Sequence, residues 1–104
     1  MALTNLAYAD DRREGRDEVH HRARATGRDG RQLPLLIVNL SPSGLMARCD
    51  AHVGIGEQIR LPLPLVGHVV GDVRWALGGR IGCQFLNVIP LAGYRDLLAA
   101  IIRG

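Results

Sequence analysis

With 104 residues the chain has room for one domain and one modest core, burying about 60–70% of the surface its unfolded form exposes, and none for a second domain. A formal net charge of +3 is too small to demand nucleic acid by field strength alone, but it suits an anion held at a local site. Although 47% of the residues are apolar, no run approaches the ~20 needed to cross a bilayer and the start lacks a signal-peptide pattern, so a cytoplasmic chain without membrane insertion is expected.

Residues 1–17 mix small, polar and charged groups without a sustained period, which predicts a flexible N-terminal arm. The barrel-forming unit is expected over 18–104. From Glu18 to Thr26 the pattern alternates, with Val19, His21, Ala23 and Ala25 against His20, Arg22, Arg24 and Thr26, as in a half-buried strand. Asp29-Gly30 supplies a turn into the apolar run Leu33 to Val38, which ends at Asn39. After Ser41-Pro42-Ser43-Gly44, a third strand alternates Leu45, Ala47 and Cys49 with Met46, Arg48 and Asp50.

A fourth strand sets Ile59, Leu61, Leu63 and Leu65 against Arg60, Pro62 and Pro64, whose prolines predict an edge or a bulge because neither has an N–H for the ladder. His68 to Leu77 places Val69, Val73, Trp75 and Leu77 on one face, which favours Trp75 as a core residue over a stacking platform for a ligand. Gly78-Gly79 then favours a tight turn into Arg80–Asn87, with Ile81, Cys83 and Phe85 inward and Arg80 an exposed strand-end cation. From Leu91 the period becomes helical, with Leu91, Tyr94, Leu97, Leu98 and Ile101 on one stripe over about 90–103. The expected fold is all-β with a terminal helix: six short strands favour a closed antiparallel barrel, since closure removes hydrogen-bonding edges, and the C-terminal helix covers one opening.

Two short motifs carry the functional signal. Arg12 and Arg16 stand four apart in Arg12-Arg13-Glu14-Gly15-Arg16, and Asn39-Leu40-Ser41-Pro42-Ser43-Gly44 follows one hairpin later. Alone, the first reads as a solvated charge run in a chain without lysine, and the second as an ordinary turn. In this order and spacing they resemble the Arg-x-x-x-Arg and Asp/Asn-x-Ser-x-x-Gly signature of the PilZ domain, a bacterial receptor for cyclic di-GMP. The likeness runs over about residues 10–90, where Val73-x-Trp75 and Gly82-Cys83-Gln84-Phe85 look like that family's later strands.

The resemblance implies a six-stranded barrel with a C-terminal helix, and cyclic di-GMP as ligand of Arg12, Arg16, Asn39, Ser41 and Gly44. The chemistry agrees. A guanidinium donates two parallel hydrogen bonds to guanine O6 and N7, stacks on a base, or pairs with phosphate. Asn39 and Ser41, two residues apart, share one strand face, and Gly44 allows a positive φ or a close approach. Asn39 stands where Asp is also common in the family; it keeps an acceptor and loses a charge.

Lacking an output domain, such a receptor would signal to a partner protein that the sequence does not name. The competing readings are a PilZ-like interaction module that binds no nucleotide, and a small barrel for single-stranded nucleic acid, which few aromatics and the low charge disfavour. No enzyme is expected, because no nucleophile–base set, paired carboxylates or Walker loop is present. No metal or other cofactor is expected either: His20 and His21 point to opposite faces of their strand, and His52 and His68 are apart. Cys49 and Cys83 lack metal spacing and suit small core positions better than a disulfide.

Overall fold

The alternating segments become six strands in the computed structural model, which describes residues 15–103. They are β1 (Asp17–Thr26), β2 (Gln32–Ser41), β3 (Gly44–Arg48), β4 (Gln58–Leu63), β5 (Gly67–Leu77) and β6 (Arg80–Phe85), followed by the helix α1 (Leu91–Arg103). All neighbours are antiparallel, and the order β1-β2-β3-β6-β5-β4 closes into a barrel. Closure leaves the inward residues of every strand to meet in one core, in which Leu33, Ile37, Leu40, Ile59, Leu61, Val73 and Leu97 are fully buried. The expected two-residue turn at Gly78 and Gly79 (62° and 79°) and the expected turn at Asp29 and Gly30 (63° and 77°), the latter within a short 3-10 segment Arg28–Gly30, both use paired positive φ angles. Such pairs match the twist of the strands they join.

Strand register shifts at three places, on β1 between Glu18 and His21, on β2 and on β5, and the last two decide what the outer surface carries. On β2 the register passes from Ile37↔Ala47 to Asn39↔Met46, so one extra residue sits between them. A bulge reverses the phase of everything beyond it. Leu33, Leu35 and Ile37 point inward before it and Leu40 after it, leaving Asn39 half-buried on the outer side and Ser41 on the same strand face but buried. On β5 the step from Val73↔Cys83 to Trp75↔Gly82 inserts Arg74 in the same way. Val73 is buried, but Trp75 is 38% exposed and Leu77 79% exposed, contrary to the core position expected for both. The alternation that grouped them with Val73 is broken by one residue.

Two further apolar residues expected inside lie outside. Leu65 belongs not to β4 but to the turn after it, with φ of 66°, and its side chain is exposed. Leu91, the first residue of α1, is also exposed. The stripe that does pack is Tyr94 and Leu97, with Leu98 and Ile101 half-buried beside them. Tyr94 ties the helix to the barrel end where β1 begins: its hydroxyl lies 2.5 Å from Asp17 Oδ2 and 2.9 Å from the Leu40 carbonyl oxygen.

The opposite end is held by Glu57. Its Oε2 accepts from Arg31 Nη2 at 2.7 Å and from the Arg28 backbone N–H at 3.3 Å, while Oε1 accepts from the Gly54 N–H at 3.2 Å. Arg31 Nη1 also donates to the His52 carbonyl at 3.0 Å, so one ion pair joins the β1–β2 turn to the loop before β4. Burial pushes the Glu57 carboxyl up, but the Arg31 hydrogen bond and the two backbone donors outweigh it and hold the group below its ordinary range. A carboxylate whose pKa is lower folded than unfolded contributes stability above the unfolded value, and that stability is lost as pH falls through the folded one. Glu57→Gln is therefore expected to cost about 1–2 kcal/mol at neutral pH, with Arg31 half in solvent moderating the loss. The deficit should shrink as pH drops through the carboxylate range, as urea titrations at pH 7 and pH 3 would measure; a deficit equal at both would remove the charge from the account.

Cys49 and Cys83 are both buried free thiols, as expected of core residues. Burial pushes Cys83 up to about 12, with Cys49 and Asp72 acting in the same direction, so it stays protonated and unreactive at neutral pH.

Candidate functional site

The β2 bulge puts Asn39 and Ser41 on one strand face, Asn39 half-buried and Ser41 buried, and register then shows what stands beside them. Asn39 is level with Glu18 on β1 and with Met46 on β3; Met46 is level with Gly82 on β6, and Gly82 with Trp75 on β5. These five positions form one outer row across the barrel. The next row holds Ser41, Gly44, Gln84 and Asp72. Arg16, exposed and immediately before β1, continues the Asp17↔Leu40 and Glu18↔Asn39 register by one step to the level of Ser41. Gly15, with φ of 77°, turns the chain just ahead of it. The structure thus brings Arg16, Asn39, Ser41 and Gly44 to one end of one face. Arg12 lies outside the described residues, as does most of the expected arm.

Ser41 has a structural task as well. Its Oγ accepts from the Ser43 N–H at 3.3 Å and lies 3.4 Å from both the Gly44 carbonyl oxygen and Ser43 Oγ, closing the turn on itself. The turn is clamped from β6 and beyond, where Phe85 N–H donates to the Ser43 carbonyl (2.8 Å) and Ile89 N–H to the Pro42 carbonyl (2.9 Å). Its backbone is thereby fixed without any ligand.

Of the two reasons expected for glycine at 44, a positive φ or a close approach, the positive φ is not used. The reason for glycine is proximity: a Cβ there would lie 2.3 Å from the backbone carbonyl oxygen of Cys83. The close approach is that of β6 to β3.

The β5 bulge adds two residues to this face that alternation had concealed. Trp75 lays its indole over Gly82, where a Cβ would meet Nε1 at 2.1 Å, so glycine on β6 leaves the room that the ring fills. Arg74 donates from Nη1 to Gln84 Oε1 at 3.1 Å, which holds a guanidinium beside the row that carries Gly44. A glycine inside an otherwise alternating strand was the available signal, because it marks a bulge or a close approach. The face combines forked cations, an amide, a hydroxyl and an exposed aromatic plane, with the carboxylates of Glu18 and Asp72 at its β1 and β5 margins. Such a set suits a flat, polar, anionic ligand.

Family comparison agrees with this architecture: the PilZ domain model matches residues 10–104, and the chain belongs to that family. Among solved structures it is similar to the PilZ domain with c-di-GMP of YcgR from Escherichia coli, at a TM-score of 0.56 and 19% identity, over 86% of this chain and 87% of that one. At that identity the likeness is one of fold. No curated protein sequence matches the chain. Among the described residues no helix is long and apolar enough to cross a membrane, and no group of three or more His, Cys, Asp or Glu is placed to hold a metal.

Proposed function

We propose that the chain is a receptor for cyclic di-GMP that binds it on the outer face of the barrel and passes the signal to a partner protein. The observation that carries this reading is the convergence of Arg16 with Asn39, Ser41 and Gly44 at one end of the β1–β2–β3 face, in a chain of the PilZ family. The fold neighbour described with c-di-GMP supports the same ligand. Arg12 and Arg16 supply guanidinium forks for guanine O6/N7 edges and phosphate. Asn39 offers amide groups from the rigid strand side. Ser41 keeps the turn in shape, so its contribution to the ligand is positional as much as direct. Gly44 lets β3 and β6 come together beneath it.

Trp75 completes the face as a stacking plane for a base, three strand spacings, or roughly 14 Å, around the sheet from Asn39. It is the single tryptophan of the chain, so its fluorescence reports this face alone. Added cyclic di-GMP is expected to change its emission saturably, with a midpoint that moves in parallel with affinity in an Arg16 variant. Emission that stays constant up to millimolar nucleotide would take Trp75 out of the site and count against the assignment of the face.

A further inference from the structure

On the far side of the barrel the sheet closes through a thin seam. In the ring order, β1 against β4 lies opposite the β3–β6 junction that underlies the candidate site. β1 is ten residues long, yet Thr26↔Arg60 is the register pair that joins it to β4. Beyond Arg60, β4 continues into Pro62, which has no N–H to offer a neighbouring strand. The seam there opens into an outward groove of about 630 Å³, lined among others by Arg24, Arg60, His68, Gln58, Val70 and Leu86.

Its chemistry is one-sided. No carboxylate is among the described residues lining it, and neither Arg24 nor Arg60 has an ion-pair partner among the described residues. Both are exposed outer-face residues, Arg24 on β1 two positions before Thr26 and Arg60 on β4 level with Thr26, so they flank the seam from its two strands. Val70 and Leu86 form an apolar wall beside them. Leu86 is half-exposed and held in place by its N–H on the Val70 carbonyl at 2.9 Å. Exposed Val88 and Leu91 continue the chain from it. An open groove that couples unpaired arginines to an apolar strip beside a sparsely paired strand suits an extended chain better than an enclosed small molecule.

We propose that this groove docks an extended acidic segment of a partner protein, with its carboxylates on Arg24 and Arg60 and an apolar side chain against Val70 and Leu86. Charge complementarity selects the occupant: paired guanidiniums without a carboxylate neighbour favour a partner that supplies one. The proposal does not rest on the nucleotide reading, because the groove lies at the β1–β4 seam and shares no residue with the candidate site.

The test is fluorescence anisotropy with a short fluorescein-labelled glutamate-rich peptide carrying leucines, its lysine counterpart and a single-stranded oligothymidine as probes. Wild type should bind the acidic peptide and not the lysine one. Arg24→Gln/Arg60→Gln should weaken that binding at least about tenfold, or 1.4 kcal/mol, and added salt should do the same. Cyclic di-GMP is titrated on both proteins, and its affinity should not change between them. Unaltered melting of the variant shows that the barrel is intact; should it melt early, Arg24→Lys/Arg60→Lys replaces it, with retained peptide binding as the expected result. Equal peptide affinity in wild type and the glutamine variant, absence of peptide binding, tighter arginine-dependent binding of the oligonucleotide, or parallel loss of peptide and nucleotide would each overturn the proposal. A wild type that binds peptide but no nucleotide would overturn the receptor assignment alone.

Discussion

Arg16→Ala weakens cyclic di-GMP binding by about 1–3 kcal/mol, ten- to a hundredfold, while the barrel melts at an unchanged temperature. The size follows from what is lost. A guanidinium that donates two charge-assisted hydrogen bonds to a guanine or a phosphate has no replacement at the Asn39 and Ser41 end of the face, and Arg74 is engaged with Gln84. The selectivity of the effect follows from position: Arg16 is exposed and precedes β1, so the core does not contain it. Arg12→Ala is expected to behave alike. The check is calorimetric titration beside thermal unfolding; affinity that falls only together with melting temperature would make Arg16 a structural residue.

Gly44→Ala is expected to cost about 3 kcal/mol of stability, at the upper end of what overpacking does. The added carbon would lie 2.3 Å from the Cys83 carbonyl oxygen, and that neighbour is backbone inside the β3–β6 ladder, where no rotamer change relieves the clash. Relief requires the two strands to part, which disturbs Leu45 and Cys83 in the core and the clamped 41–44 turn above them. Nucleotide binding should fall with it, because the Asn39 and Ser41 face loses its geometry. Urea unfolding measures the loss, and a variant as stable as wild type would show that β6 can yield at this point.

The strands, both glycine turns and the helical stripe were legible because each depends on near neighbours in the chain. Period 2 places Ala25, Leu33, Ile59 and Ile81 inside, and period 3.6 places Tyr94 and Leu97 against the barrel. What escaped was set by pairing between strands. A bulge at Arg74 carries no signature within β5 itself; it exists because β6 presents Gly82 where the indole of Trp75 must lie. Reading β5 alone therefore buried Trp75 and Leu77, and the same blindness hid Arg74 as a member of the outer face. Glu57 was likewise invisible, since its partners Arg28 and Arg31 stand 29 and 26 residues away and meet it only when the barrel closes. The Asn39/Ser41/Gly44 grouping was readable because all three lie within six residues on one hairpin, although the reason for glycine at 44 is a strand two steps around the barrel order from β2.

Calorimetric titration of the wild-type chain with cyclic di-GMP and, separately, with cyclic di-AMP tests the central claim most directly. Arginine forks match the two acceptors of guanine and face the amino group of adenine badly, so the receptor should bind the guanine dinucleotide at least about tenfold more tightly. Equal affinity for both dinucleotides would contradict base readout by Arg12 and Arg16, and absence of heat with either would contradict the receptor itself.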